Sequence, residues 1–165
     1  MTDIFLQPLA GLVSIEDAFI INFEGECQYS LHTFTSLRIS DGKRVLLTSR
    51  DQFFDADRVE LDDDEIARSR KNLFEGTLLH ENICWLKSLL GNSLVRDVNI
   101  NAIGDLTVTF DNSVVIEVRI DALYEDFECY RLLEFSPSKE VTHCVARMAN
   151  ENIEFTFEYD TDEDE

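Results

Sequence analysis

The sequence predicts an α+β fold, mainly antiparallel β-sheet built from two repeated β-meanders with one or two short helices between them. Three observations carry this. Short runs alternate apolar and polar residues with a period of two, as strands with one buried face do. One pattern of faces is written twice, 87 positions apart: Phe19, Ile21, Phe23, Glu24, Gly25, Tyr29 and Leu31 are answered by Leu106, Val108, Phe110, Asp111, Asn112, Ile116 and Val118. Between the copies the apolar spacing becomes helical.

The first β block spans residues 12–49, with strands expected at 12–15, 19–23, 27–34, 37–39 and 44–48. Glu24-Gly25 and Asp41-Gly42 supply hairpin turns, since glycine reaches the positive φ these turns need. The helical segment covers 62–91. Asp62 to Glu65 suit a helix N-terminus, Arg68, Arg70 and Lys71 its later turns, and Gly76 its stop, which predicts a helix over 63–75. Thr77 caps a second helix, in which Leu79, Ile83, Leu86 and Leu90 form an apolar stripe with Trp85 at its margin and Gly91 as the stop. The second β block, 94–159, predicts strands at 94–101, 106–110, 114–120, 128–134, 141–148 and 153–159, the last two joined across 149–152. The 87-residue offset also sets Arg44, Leu46 and Ser49 against Arg131, Leu133 and Ser136. Residues 1–159 form one domain, and 160–165 are a disordered acidic tail. Periodicity leaves open whether the strands make one continuous sheet or two packed sheets.

Thirty-four acids against fourteen bases give a net charge of −20, in a chain that is 44% apolar with twelve Phe. That apolar content supports a core, and the charge repels nucleic acid and anionic lipid surfaces while attracting basic proteins. The start, Met1 to Gly11, lacks the basic residues and apolar run of a secretory signal, and no stretch is long enough to span a bilayer, so the expected location is cytoplasmic. Cys27, Cys84, Cys129 and Cys144 show no CxxC spacing and read as reduced packing residues.

Motifs for chemistry are missing. His32, His80 and His143 are available as bases, but nothing in their spacing selects one to activate a nucleophile. Asp160, Asp162 and Asp164 imitate the opening of a calcium loop, yet the chain ends before the turn glycine and distal Glu. There is no phosphate-binding glycine loop and no zinc spacing. No catalytic, cofactor-binding or metal residue is therefore assigned, and no cofactor is expected. What remains is surface. Acids gather at Glu24 and Glu26, from Asp55 to Glu65, from Asp121 to Glu128, and in the tail. The candidate partner-binding residues are Glu24, Glu26, Asp55, Asp57, Glu60, Asp62, Asp63 and Asp64, to be met by Lys and Arg of a basic partner, or by a foreign hairpin adding to an open sheet edge.

Leu90-Gly91, Gly104-Asp105-Leu106-Thr107-Val108-Thr109-Phe110 and Phe127-Glu128-Cys129-Tyr130-Arg131-Leu132 together resemble a pattern in small bacterial proteins: a Leu-Gly step, a strand, a Gly-Asp-Leu hairpin, and a strand opening on Glu and an aromatic. The resemblance covers about 45 residues, is structural rather than catalytic, and is similar to immunity partners of polymorphic and contact-dependent growth inhibition toxins. It implies a non-enzymatic, cytoplasmic immunity protein that binds a basic, nuclease-like toxin C-terminal domain. Two alternatives stand beside it: an acidic interaction module for a host partner, and a carboxylate- or metal-dependent hydrolase. Neither nucleic acid nor membrane is expected as a partner, and self-association is left open.

Overall fold

The computed structural model describes residues 9–15, 18–24, 28–121, 126–135, 141–149 and 152–160. In chain order the strands are β1 (Leu9–Ile15), β2 (Ala18–Glu24), β3 (Gln28–Thr33), β4 (Ser36–Ser40), β5 (Val45–Thr48), β6 (Val95–Ile100), β7 (Leu106–Phe110), β8 (Val115–Arg119), β9 (Glu128–Phe135), β10 (Val141–Ala149) and β11 (Asn152–Asp160). A 3-10 turn, Ser49–Phe53, and two helices, α1 (Asp63–Lys71) and α2 (Leu78–Leu90), separate β5 from β6. The predicted fold class holds: the molecule is mostly antiparallel sheet with two short helices.

The strands form two sheets, ordered β1-β2-β3-β9-β10-β11 and β5-β4-β8-β7-β6. Each draws strands from both β blocks. The alternation seen in the sequence becomes burial: Phe19, Ile21 and Phe23 of β2 and Leu106, Val108 and Phe110 of β7 all point into one core. The rings of Phe23 and Phe110 stack with centroids 6.4 Å apart, joining the sheets face to face. Between the sheets a cavity of about 20 Å³, lined by Leu31, Val98, Val108 and Leu132 among others, is room for a single water and no ligand.

The repeat survives with two corrections. Phe23 pairs with Tyr29, whereas the Phe110 amide donates its hairpin bond to the Val114 carbonyl, and Val108 pairs with Ile116. Tyr29 and Leu31 therefore correspond to Val114 and Ile116, two positions earlier than an uninterrupted repeat puts them. A slip of two preserves every face, which is why the period of two conceals it. The further match of Arg44 and Leu46 to Arg131 and Leu133 does not hold, and Ser136, set opposite Ser49, lies outside the described residues. The match sets β5, the edge of one sheet, against β9, which is internal to the other. The true counterpart of β9 is β4, since Leu31 pairs with Leu132 just as Ile116 pairs with Ile39. Only Phe34 and Thr35 separate β3 from β4, but residues 120–127 separate β8 from β9, so a constant offset cannot continue. In both copies the hairpin stays in one sheet and the next strand crosses to the other.

The first helix is shorter than the expected 63–75, ending at Lys71. Leu73 and Phe74 turn to φ 52° and 60°, a left-handed conformation the sequence does not advertise in non-glycine residues. The Phe74 amide closes onto the Ser69 carbonyl at 2.7 Å, and its ring is fully buried. Burial of a phenylalanine, roughly 2–3 kcal/mol, offsets the strain of that turn. Thr77 caps α2 as predicted, its hydroxyl accepting from the His80 amide at 3.2 Å. Leu79, Ile83, Leu86 and Leu90 are buried, against β1 and β5 on one side and the 3-10 turn on another, with Trp85 exposed at the margin. The last strand runs through Asp160, one residue into the segment expected as tail, and 161–165 lie outside the described residues.

Candidate docking surface

The acids from Asp55 to Asp64 stand on an ordered ledge between β5 and α1. Its root is Asp51, whose carboxylate accepts from the Thr48 amide and hydroxyl at 3.2 and 2.8 Å and from Asn82 of α2 at 2.8 Å. From there the backbone is tied at each step. Leu61 donates to the Phe53 carbonyl, Asp55 to that of Val59, and Leu78 to that of Phe54, all at 2.9 Å. Isolated bridges join Phe54 to Glu60 and Asp55 to Thr77. Acids on a segment held this way meet a partner without a large loss of conformational entropy.

The eight candidate residues divide by what their side chains do. Asp55 is half-buried, and its carboxylate accepts from the Val59 amide at 2.8 Å, closing the turn in which Arg58 sits at φ 66°. Asp62 caps α1 by accepting from the Glu65 amide at 2.8 Å, while Glu65 reaches back to the Asp62 amide at 3.0 Å. This reciprocal cap satisfies two helix-terminal donors. Asp55 and Asp62 therefore shape the ledge. Asp57, Glu60, Asp63 and Asp64 are exposed, beside Val59, itself 60% exposed, and they give the ledge its charge. Asp63 and Asp64 also lie in the first turn of α1, where negative charge is favoured by the helix dipole. Glu24 is on another element, exposed at the end of β2 and lining a shallow recess with Gln28, Tyr29 and Phe135. Glu26 lies outside the described residues.

The acidic stretch from Asp121 to Glu128 is not one surface. Asp121 accepts from the Ser36 hydroxyl, and 122–125 lie outside the described residues. Glu128 belongs to a lattice on the outer face of the six-stranded sheet. Arg131 grips it with two parallel bonds of 2.8 Å, from Nε to Oε1 and Nη2 to Oε2. Arg147 lies 3.6 Å from Glu128 and 3.0 Å from Glu158. Burial alone would raise the Glu128 carboxyl above its usual range, but the Arg131 bonds and the charges of Arg131 and Arg147 outweigh it and hold it below. The sequence does not reveal this lattice, because Arg147 of β10 and Glu158 of β11 join Glu128 and Arg131 of β9 only through strand pairing. Alternation in fact points the wrong way within β9: Glu128 and Arg131 are an odd step apart, which an unbroken strand puts on opposite faces, and the register shift opposite Ala146 and Arg147 brings them to one side.

Two histidines border the lattice. Nδ1 of His143 is 2.9 Å from Nη1 of Arg131, and a guanidinium can only donate, so this nitrogen accepts and the imidazole proton sits on Nε2. His32, paired across strands with Arg131, has its pKa lowered by burial first and then by the Arg131 charge. The cysteines split. Burial pushes the Cys129 thiol up to about 11 and raises that of Cys144, so both stay protonated packing groups at neutral pH. Cys84 does not fit the packing reading: it is exposed on α2, one turn from His80, whose Nε2 is 3.6 Å from its sulfur. A surface helix position at i+4 from the histidine takes it out of the buried stripe. Cys27 lies outside the described residues.

Among the described residues no three His, Cys, Asp or Glu side chains converge to hold a metal ion. Among the same residues no helix is long and apolar enough to cross a membrane. No protein-family model, curated protein or solved structure matches the chain.

Proposed function

We propose that this chain is a non-enzymatic protein-binding protein, and that it acts as a cytoplasmic immunity protein which neutralises a basic, nuclease-like bacterial toxin domain. The observation that supports the reading best is the ledge: Asp57, Glu60, Asp63 and Asp64 are exposed on a backbone stitched to α2 and to the end of β5, so the charge is displayed rigidly. A net charge of −20 supplies the long-range field. It draws a cationic domain in and raises its encounter rate by about ten to a thousandfold at low salt. Short-range contacts at Val59 and the ledge rim then set how long the complex lasts, and the bound chain blocks the toxin's basic substrate-binding face.

The test is co-expression of the chain with a toxin domain encoded directly upstream of its gene, reading growth rescue and complex formation at several salt concentrations. Rescue together with a complex that weakens as salt rises is the expected result. Toxicity undiminished, with no complex even at low salt, overturns the reading for that toxin.

A further inference from the structure

Two sheets have four edges, and three of them are blunted. β1 carries a register shift between Leu9 and Gly11 and is packed by α2. β5 is four residues long and also lies against α2. β6 is broken by a shift between Val95 and Asp97 and exposes Arg96 and Asp97. Short length, bulges, charge and helix cover are the usual protections of an edge. β11 lacks the short length, the bulge and, among the described residues, the helix cover, and the charge it carries, on Glu154 and Glu158, is of one sign only. It is nine residues long, pairs with β10 from Asn152 to Asp160 without a register shift, and has no strand beyond it among the described residues.

Its inner face is anchored at one end and open at the other. Ile153 packs so closely on Gly104 that a Cβ there would stand 2.5 Å from it, and the Phe155 ring meets Tyr130 at 6.4 Å. Phe155 is nevertheless 40% exposed and Phe157 59% exposed, because the six-stranded sheet extends past the five-stranded one. On the outer face the same strand presents Glu154 and Glu158.

We propose that β11 is a strand-addition site that accepts an extended segment of a cationic partner, with Lys or Arg opposite Glu154 and apolar residues over Phe155 and Phe157. Residues directly opposite in neighbouring strands share a face, so an alternating basic and apolar segment satisfies both faces of β11 at once. A second copy of the chain is the wrong occupant. Antiparallel pairing of two β11 strands about Thr156 sets Glu154 against Glu158 twice, between bodies of charge −20 each. The proposal rests on the docking reading above and gives it a contact mode.

Two peptide probes of identical composition test it: a nine-residue peptide alternating lysine with valine, and one with the lysines and valines in separate blocks. Amide exchange across β11 and affinity at low salt are read for each. The alternating peptide is expected to slow exchange at 153–159 and to bind about tenfold more tightly than the block peptide. Phe157→Asp separates the causes, since simple charge attraction makes it bind the alternating peptide more tightly and strand addition makes it bind more weakly. Exchange in the unaltered protein gives the same answer without any variant. Equal binding of both peptides with no protection of β11 overturns the strand site and leaves the docking reading standing. Binding of neither peptide, with β11 unprotected, likewise overturns the strand site, while the docking reading is decided by the toxin co-expression. Protection of β11 that grows with the chain's own concentration in sedimentation assigns the edge to a second copy and overturns the proposal.

Discussion

The acids in two regions of this molecule do opposite things. On the outer face of the six-stranded sheet Glu128 is 21% exposed and gripped by Arg131, with Arg147 alongside. On the ledge Asp57, Glu60, Asp63 and Asp64 face water. The first set is neutralised by its neighbours and ties strands together. The second keeps its charge, and its field reaches about 8–10 Å into solvent at ordinary salt. Side-chain chemistry is the same in both. Position relative to the few arginines decides which acids are structural and which are available to a partner.

Removing the cation from the lattice should have the largest effect. Arg131→Met leaves Glu128 half-buried without its bidentate donor and deprives His143 Nδ1 of its hydrogen bond, and is expected to lower unfolding free energy by about 2–3 kcal/mol in urea titrations. A change under 0.5 kcal/mol would show that the lattice is as solvated as the ledge. Next comes the reciprocal cap: Asp62→Ala should destabilise by about 1 kcal/mol, whereas Asp63→Ala and Asp64→Ala should stay within about 0.5 kcal/mol. Equal effects at the three positions would erase the distinction between shaping and displayed acids.

Acidification sharpens the same contrast. Glu128 has a folded pKa below its ordinary 4.5, so its contribution is present above that value and is lost as pH falls through the lower folded value. His32 has a folded pKa below 6.5, so the unfolded chain binds more protons just under that pH, and stability declines as pH drops through 6.5. The groups that face His32 are Arg131, Glu128 and His143. His32→Gln should flatten the stability profile between about pH 7 and 5, measured by thermal unfolding.

Much of the local structure was legible in the sequence, because alternation writes burial directly: every predicted strand is present, and Thr77 and Asp62 cap their helices. Two kinds of feature were not legible. Pairing of β3 with β9 and of β4 with β8 joins residues far apart in the chain, so neither the two-sheet partition nor the Glu128–Arg131–Arg147 lattice has a local signature. The early end of α1 depends on Leu73 and Phe74 taking a left-handed turn to bury one ring, where glycine at Gly76 is the local stop signal. The ledge acids were found by density alone, and density does not distinguish Asp55 and Asp62, which hold backbone amides, from their exposed neighbours.

The claim that the exposed ledge acids serve docking is tested most directly by association kinetics with the toxin domain that the chain rescues. Asp57, Glu60, Asp63 and Asp64 are changed together to their amides, and both rate constants are followed against ionic strength. Steering predicts association slowed by about tenfold at low salt, dissociation changed by less than about twofold, and a difference that vanishes near 0.5 M salt. An association rate equal to that of the unaltered chain at every salt concentration would contradict it.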